Sequence, residues 1–206
     1  MNAMCEKRSC ALCVAVADAA RSKEPFLYNI KLAETDNFVV LPSLGPLVPG
    51  HVMVVSKTHC ASLSSMGADA IEEYESLAAR LRHAPLLRGS DALEAEHGST
   101  ADDKAGACVI HTHVHWIPGV GRFLEEFQRR LSLRAEARLV ELISKAEPYI
   151  FARAGAIQVI FHARGLPSQT IRRILCELMD RDDTDWMQAP RLDWIEETVK
   201  AWQTQG

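Results

Sequence analysis

Three histidines alternate with other residues in the segment 111–117, which reads HTHVHWI. Successive side chains of a β-strand point to opposite faces, so His111, His113 and His115 would share one face of a strand that we predict over residues 107–117. The chain contains eight histidines, and three at strict alternation in an apolar segment argue against a chance cluster on a solvated strand. Clustered titratable groups of this kind indicate a functional site.

Two kinds of chemistry are consistent with this stripe of imidazoles. Three histidine ligands can hold a catalytic zinc ion, and same-face strand positions can supply them. Alternatively, one imidazole acts as a nucleophile while its neighbours orient it and neutralise charge. An unperturbed imidazole titrates near ~6.5, so its neutral, attacking form is abundant at neutral pH. The spacing alone leaves both alternatives open.

Length and charge restrict the partners of the chain. Its 206 residues suit one domain with an appendage, and its formal net charge of −4 comes without a block of Lys or Arg. Duplex nucleic acid is therefore not expected as a partner, whereas a small phosphorylated ligand is compatible. We found no apolar run of roughly 20 residues that would span a bilayer and no signal-peptide pattern. We therefore expect a cytoplasmic protein.

A second motif is the pair Cys10 and Cys13, separated by two residues. Disulfides are rare in the cytoplasm, so a close pair indicates a metal site or a redox function, although two small buried thiols at a helix start would give the same pattern. A structural zinc ion usually has four ligands, so a metal site would need two more.

The periodicity of apolar residues predicts an α+β fold, because helices and strands do not alternate regularly enough for a doubly wound sheet. We expect a domain over residues 1–120, with an extension over 121–206 packed on it. Predicted helices cover residues 10–22, the later part of 61–87, 122–145, 168–179 and 192–202. Predicted strands cover residues 28–33, 37–41, 51–56, 93–96, 107–117, 149–154 and 156–163, and Pro- or Gly-rich loops cover 42–50 and 98–106.

The segment 111–117 closely resembles the His-x-His-x-His-x-x signature of the histidine triad (HIT) superfamily. Residues 48–59 (VPGHVMVVSKTH) look like the Pro-Gly-His strand of this family and its Lys-x-His element. Residues 96–99 (EHGS) and 106–108 (GAC) resemble a segment of a branch akin to galactose-1-phosphate uridylyltransferases. The resemblance covers about residues 5–120 and implies a HIT-like fold, an antiparallel sheet with flanking helices, followed here by a C-terminal α/β extension.

The resemblance also implies a mechanism. His113 would attack the α-phosphorus of a nucleotide, and water or an acceptor phosphate would resolve the nucleotidyl-histidine intermediate. His115 would hydrogen-bond a phosphate oxygen, and His111 would orient the strand or bind a metal. The substrate would be of the dinucleoside polyphosphate or nucleoside phosphoramidate type. The residues implied around the phosphates are His97, Gly98, Ser99, Gly106 and Cys108.

In zinc-bearing proteins similar to this one, a cysteine pair joins a histidine after the Pro-Gly-His strand and the first triad histidine. The matching residues here form a candidate structural zinc site of Cys10, Cys13, His59 and His111. Alternatives are a helix-capping role for His59, and Cys5, Cys60 or Cys108 as ligands.

Two segments depart from the family pattern or extend it. Ser43 falls where many members carry an acidic or amide residue that binds ribose, so Asn37 or Asp36 is an alternative partner. Further along, Ser168 and Gln169 precede two arginines at the start of a predicted helix. They resemble Pro-Ser-Gln-x-x-Arg segments of the same branch and could complete an anion site, but an ordinary capped helix with solvated arginines is favoured.

Two other functions remain alternatives to a nucleotidyl hydrolase or transferase. One is a catalytically silent nucleotide-binding protein, and the other is a zinc hydrolase that uses all three histidines of the triad as ligands. Members of the family are often homodimers, which implies a homodimer here unless the extension covers the usual dimer surface.

Overall fold

A seven-stranded antiparallel sheet forms the centre of the protein. The computed structural model describes residues 10–87, 91–100, 109–131 and 147–204. The strand order is β1-β2-β3-β5-β4-β6-β7. The strands are β1 (Ala33–Glu34), β2 (Phe38–Pro42), β3 (Val52–Ser56), β4 (Leu93–Gly98), β5 (His113–Ile117), β6 (Tyr149–Ala154) and β7 (Ile157–His162).

Helices cover both faces of this sheet. They are α1 (Ala11–Arg21), α2 (Ala68–Leu81), α3 (Leu124–Leu131), α4 (Thr170–Leu178) and α5 (Leu192–Gln203). The α+β class and the antiparallel sheet with flanking helices are thus confirmed. In the part of the chain that the structure describes, no helix is both long and apolar enough to cross a membrane.

Strand β5 lies inside the sheet, between β3 and β4, and its alternate residues face two different cores. Val114 and Trp116 are fully buried in the cluster that α2 packs against. His115 lies opposite Met53 of β3 and Ala95 of β4, on the other face of the sheet. We call this the histidine face. Helix α1 packs on it over β2 and β3, whereas α3 and α4 pack on it beside β4 and β6.

Several predicted boundaries were wrong. Residues 28–33 do not form a strand, because the chain makes a 3-10 turn at Leu27–Asn29 and pairs with β2 only at Ala33–Glu34. Strand β5 begins at His113, since the residues just before it bend. The loop predicted from residue 98 begins later, because β4 continues through Gly98. Of the predicted segments, residues 101–108 and 132–145 lie outside the described residues.

The predicted cap of α4 was also wrong. The helix begins at Thr170, and its N-cap residue is Gln169, which has a left-handed backbone with φ of 62°. The hydroxyl of Thr170 donates to the carbonyl of Pro167 at 2.6 Å. Ser168 is exposed, one position before the cap residue.

The extension continues the sheet, because β6 pairs with β4 over residues 149–153. It also contacts the Pro/Gly-rich loop 43–50. Gly45, with φ of 66°, donates its N–H to the carbonyl of Pro190 at 3.3 Å. Gly50, with φ of 85°, donates its N–H to the hydroxyl of Thr198 at 2.8 Å. The division of the chain at residue 120 stays a prediction.

Arg153 of β6 links the extension to the rest of the sheet. It pairs with Glu94 of β4 and with both oxygens of Glu75 on α2, at 2.9 and 2.8 Å. Glu94 is 3% exposed, so removing Arg153 leaves its carboxylate buried with less compensation.

We expect Arg153→Met to lower the free energy of unfolding by about 3 kcal/mol, the cost of breaking a buried ion pair. Urea denaturation would measure it, with the exposed Arg164→Met as the matched control. An equal, small effect of both substitutions would contradict this role.

Candidate active site and metal cluster

A cavity opens on the histidine face between α1 and the helix α4 of the extension. His113 and His115 of β5 line it, together with His51, which directly precedes β3. Most other lining residues are apolar, so the cavity can exclude water from a bound ligand.

The hydrogen bonds of His113 define which of its nitrogens is reactive. Its Nδ1 lies 2.7 Å from the carbonyl oxygen of His111, which can only accept a hydrogen bond. In the neutral ring Nδ1 therefore carries the proton, and Nε2 keeps a lone pair. A nucleophilic imidazole needs this tautomer.

A chain of three hydrogen-bonding groups defines the tautomer of His115. The N–H of Leu47 donates to Nδ1 of His51 at 3.1 Å, so the proton of the neutral His51 ring is on Nε2. This Nε2 lies 3.0 Å from Nδ1 of His115 and donates to it. His115 must then carry its own proton on Nε2. We call Leu47, His51 and His115 the relay; it presents a donor beside the nucleophile.

Burial keeps these rings neutral. It lowers the pKa of His51 to about 3 and lowers the pKa of His115 well below its ordinary value. Burial also lowers the pKa of His113, while the hydrogen bond to the His111 carbonyl opposes that shift. Burial thus favours an unprotonated Nε2 on His113, where a nucleophile would need it, and a neutral donor at His115.

The first triad histidine belongs to a different cluster. One ligand atom from each of Cys10, Cys13, His59 and His111 lies within 4.8 Å of every other. The cysteines are three residues apart at the start of α1, so they reach the same side of the helix. Burial lowers the pKa of His111 to about 4, which leaves a neutral ligand.

The spacing of this cluster fits a tetrahedral metal ion. Nδ1 of His111 lies 3.4 Å from each of the two sulfur atoms, and Nδ1 of His59 lies 3.3 Å from the sulfur of Cys13. A tetrahedral zinc site with Zn–S of about 2.3 Å and Zn–N of about 2.1 Å has sulfur-to-nitrogen edges of about 3.6 Å. His111 also donates from Nε2 to the carbonyl of Ser56 at 2.8 Å, which leaves Nδ1 free to bind a metal.

Some of the other predicted site residues line the cavity and some do not. Ser43, His97 and Gln169 line it. The side-chain oxygen of Gln169 accepts a hydrogen bond from the Trp186 N–H at 3.3 Å, so Gln169 also holds this part of the cavity wall. Gly98 is buried against the ring of Tyr149 and does not line the cavity.

Three more predicted residues lie elsewhere in the described part of the chain. Ser99 is buried and donates from its hydroxyl to the carbonyl of Ala61 at 3.0 Å, outside the cavity lining. Asn37 is exposed, bound to Glu73 on α2 and outside the cavity lining, and its role as a ribose ligand stays a prediction. Ser168 is exposed and outside the cavity lining. Gly106 and Cys108 lie outside the described residues.

The sequence interpretation did not assign three residues to the site that the structure places there. His51 belongs to the Pro-Gly-His element, which was the available signal. Asn29 is 4% exposed and lines the cavity, and its amide Nδ2 donates to Asp18 at 2.8 Å. Its Oδ1 has no hydrogen-bond partner among the described residues. Arg172 of α4, which the favoured interpretation left in solvent, is 9% exposed and also lines the cavity.

Comparison with known proteins identifies the family. The HIT domain model matches residues 27–121. A Zn-bound histidine triad family protein from Mycobacterium smegmatis is 22% identical over 54% of this chain and 76% of its own, with a TM-score of 0.41. A HIT family hydrolase from Clostridium thermocellum is 17% identical over 54% and 90%, with a TM-score of 0.39. No curated protein matches significantly.

Residues 27–121 therefore form a HIT domain, the domain of the histidine triad family. The family includes nucleotide hydrolases and transferases. The branch akin to galactose-1-phosphate uridylyltransferases stays a prediction.

The relay can be tested without an activity assay. In His51→Gln a side-chain N–H can still donate to Nδ1 of His115, whereas in His51→Asn the shorter side chain cannot reach it. We expect ¹⁵N NMR to show His115 protonated at Nε2 in the native protein and in His51→Gln, and a mixture of tautomers in His51→Asn. A single, unchanged tautomer in all three proteins would exclude the relay.

Proposed function

We propose that the protein is a nucleotidyl hydrolase or transferase that acts at the α-phosphorus of a nucleotide through a nucleotidyl-histidine intermediate. The observation that carries this proposal is the tautomer of His113. Its Nε2 lone pair belongs to a neutral ring on a cavity wall, and its Nδ1 proton is held by a main-chain carbonyl.

The proposed reaction has two steps. Nε2 of His113 forms a bond to phosphorus while the bond from phosphorus to the leaving oxygen or nitrogen breaks, and the leaving atom takes the electron pair. The Nε2–H of His115 donates to that atom as it leaves. The phosphorylated imidazole carries a positive charge, which strengthens the bond from Nδ1 to the His111 carbonyl. Water or an acceptor phosphate then displaces His113 and releases the nucleotide.

The dinucleoside polyphosphate and nucleoside phosphoramidate types both fit this scheme, because each has a displaceable group on the α-phosphorus. A zinc hydrolase with three histidine ligands is disfavoured, since Nδ1 of His111 faces the sulfur atoms of Cys10 and Cys13. A silent nucleotide-binding protein would bind a nucleotide without forming the covalent intermediate.

We expect His113→Ala to abolish turnover of a panel of dinucleoside polyphosphates and nucleoside phosphoramidates while leaving thermal unfolding nearly unchanged. Trapping of a nucleotidyl adduct by acid-free quench and mass spectrometry would be lost in the same variant. The exposed His83→Ala is the matched control. Full activity of His113→Ala would refute the mechanism, and nucleotide binding by the native protein without turnover or adduct would favour the silent protein.

We also propose that Cys10, Cys13, His59 and His111 hold a structural zinc ion. Two thiolates and two imidazoles are a common donor set for structural zinc, and the bond from His111 to the Ser56 carbonyl orients one ligand as metal sites require. When bound, the ion would supply no chemistry to the reaction but would tie the start of α1 to the catalytic strand.

We expect Cys13→Ser to lose one zinc ion per chain and to lower the melting temperature, because metal binding that requires the folded state stabilises it. Metal analysis and calorimetry would measure both effects. Cys60→Ser is the matched control, since Cys60 is outside the cluster, and should keep its zinc. Zinc retained in Cys13→Ser would refute this ligand set.

A further inference from the structure

Arg172 is the one lysine, arginine, aspartate or glutamate among the described residues that line the catalytic cavity. It comes from α4 in the extension, outside the segment that matches the HIT domain. The triad is neutral, so Arg172 carries the permanent charge among these described lining residues.

The position of the Arg172 guanidinium is well defined. Nη1 donates to the carbonyl of Gly45 at 2.6 Å, and Nε donates to the main-chain carbonyl of Asp183 at 2.9 Å. Nη2 has no hydrogen-bond partner among the described residues, and its ion-pair distance to Asp183 Oδ2 is 3.6 Å. A buried donor of this kind favours an acceptor supplied by a ligand.

The carboxylate of Asp183 does not fully neutralise this guanidinium. It also pairs with Arg181, and with Arg191 at 3.2 Å, so three guanidiniums share one carboxylate. Asp185 adds a second negative charge near Arg172. The Asp183 carboxylate is therefore not available to Arg172 alone.

This charge acts on the side of the cavity where the leaving group would lie. Burial and the neighbouring rings lower the pKa of His115, and the charge of Arg172 lowers it further. Burial also lowers the pKa of His51, and the charge of Arg172 adds to that shift. His115 is the donor to the leaving atom in the proposed reaction. A positive charge near it stabilises negative charge that develops on a departing phosphate, and it does so most strongly where water is excluded.

We propose that Arg172 is a specificity-determining residue that favours substrates whose leaving group carries phosphate, such as nucleoside polyphosphates, over substrates with an uncharged amine leaving group. This rests on the proposed function, and it narrows the substrate class. It also assigns a role to the extension, which would supply an anion-selecting group that no described residue of the HIT domain provides at this site.

A purely structural role of Arg172 would give a different pattern of activities among the variants. If Arg172 only holds the loop at Gly45, its loss would affect all substrates equally. Asp183→Asn separates the two roles. This substitution keeps the main-chain carbonyl that accepts from Nε of Arg172, but it removes the counter-charge of the side chain. Arg173→Gln is the matched control, because Arg173 is the next residue of the same helix and is exposed.

The experiment measures kcat/KM of each variant for a dinucleoside polyphosphate and for a nucleoside phosphoramidate with a neutral amine. We expect Arg172→Gln to reduce the ratio of the two values by roughly 10- to 100-fold, the effect of one charge-assisted hydrogen bond. Asp183→Asn should raise the ratio, and Arg173→Gln should leave it unchanged. Equal losses for both substrates in Arg172→Gln, or a lowered ratio in Asp183→Asn, would overturn the proposal.

Binding gives a second measurement that does not depend on turnover. Calorimetric titration with a nucleoside triphosphate and with the monophosphate should show that Arg172→Gln weakens the triphosphate selectively. Equal weakening of the two ligands, or none, would overturn the role of Arg172. Absence of turnover in the native protein, with the selective loss of triphosphate binding intact, would instead refute the proposed function alone.

Discussion

The hydrogen bond from Nδ1 of His113 to the carbonyl of His111 joins two sites that lie at one end of a single strand. It selects the tautomer of the nucleophile, and the residue that accepts it contributes its side chain to the cysteine and histidine cluster. The position of that side chain, through the main chain of the same residue, therefore affects the orientation of the catalytic ring. A metal ion in the cluster would restrict both.

The rest of the site depends on exclusion of water. Burial keeps His51, His113 and His115 neutral, so their nitrogens act as defined donors and acceptors and not as a shifting mixture of charged forms. Because the same burial excludes water, the positive charge of the Arg172 guanidinium also acts over several ångströms. The site thus combines a neutral nucleophile with a charge that comes from another part of the chain.

Much of this arrangement could be predicted from the sequence. Alternation in the segment 111–117 indicated the shared face of His113 and His115, and the family motif indicated the four residues of the metal cluster. Contacts between distant segments could not be predicted in this way. The burial of Arg172 depends on Gly45 and Asp183, which are remote in sequence from each other. The segment Leu27–Asn29 was predicted as part of a strand, but it forms a 3-10 turn whose Asn29 side chain donates to Asp18 of α1, a contact that the local pattern does not reveal.

The main chain of Leu47 makes hydrogen bonds to two different parts of the protein. Its N–H begins the relay to His115, and its carbonyl accepts from Arg181 of the extension. A shortened chain that ended after the HIT domain would keep every histidine and cysteine of both sites. It would nevertheless lose the hydrogen bond from Arg181 to the Leu47 carbonyl. The relay that orients His115 beside His113 would then no longer be held in place. The smallest unit that preserves the geometry of this site is accordingly larger than the HIT domain, and it should be expressed, swapped or redesigned as one piece.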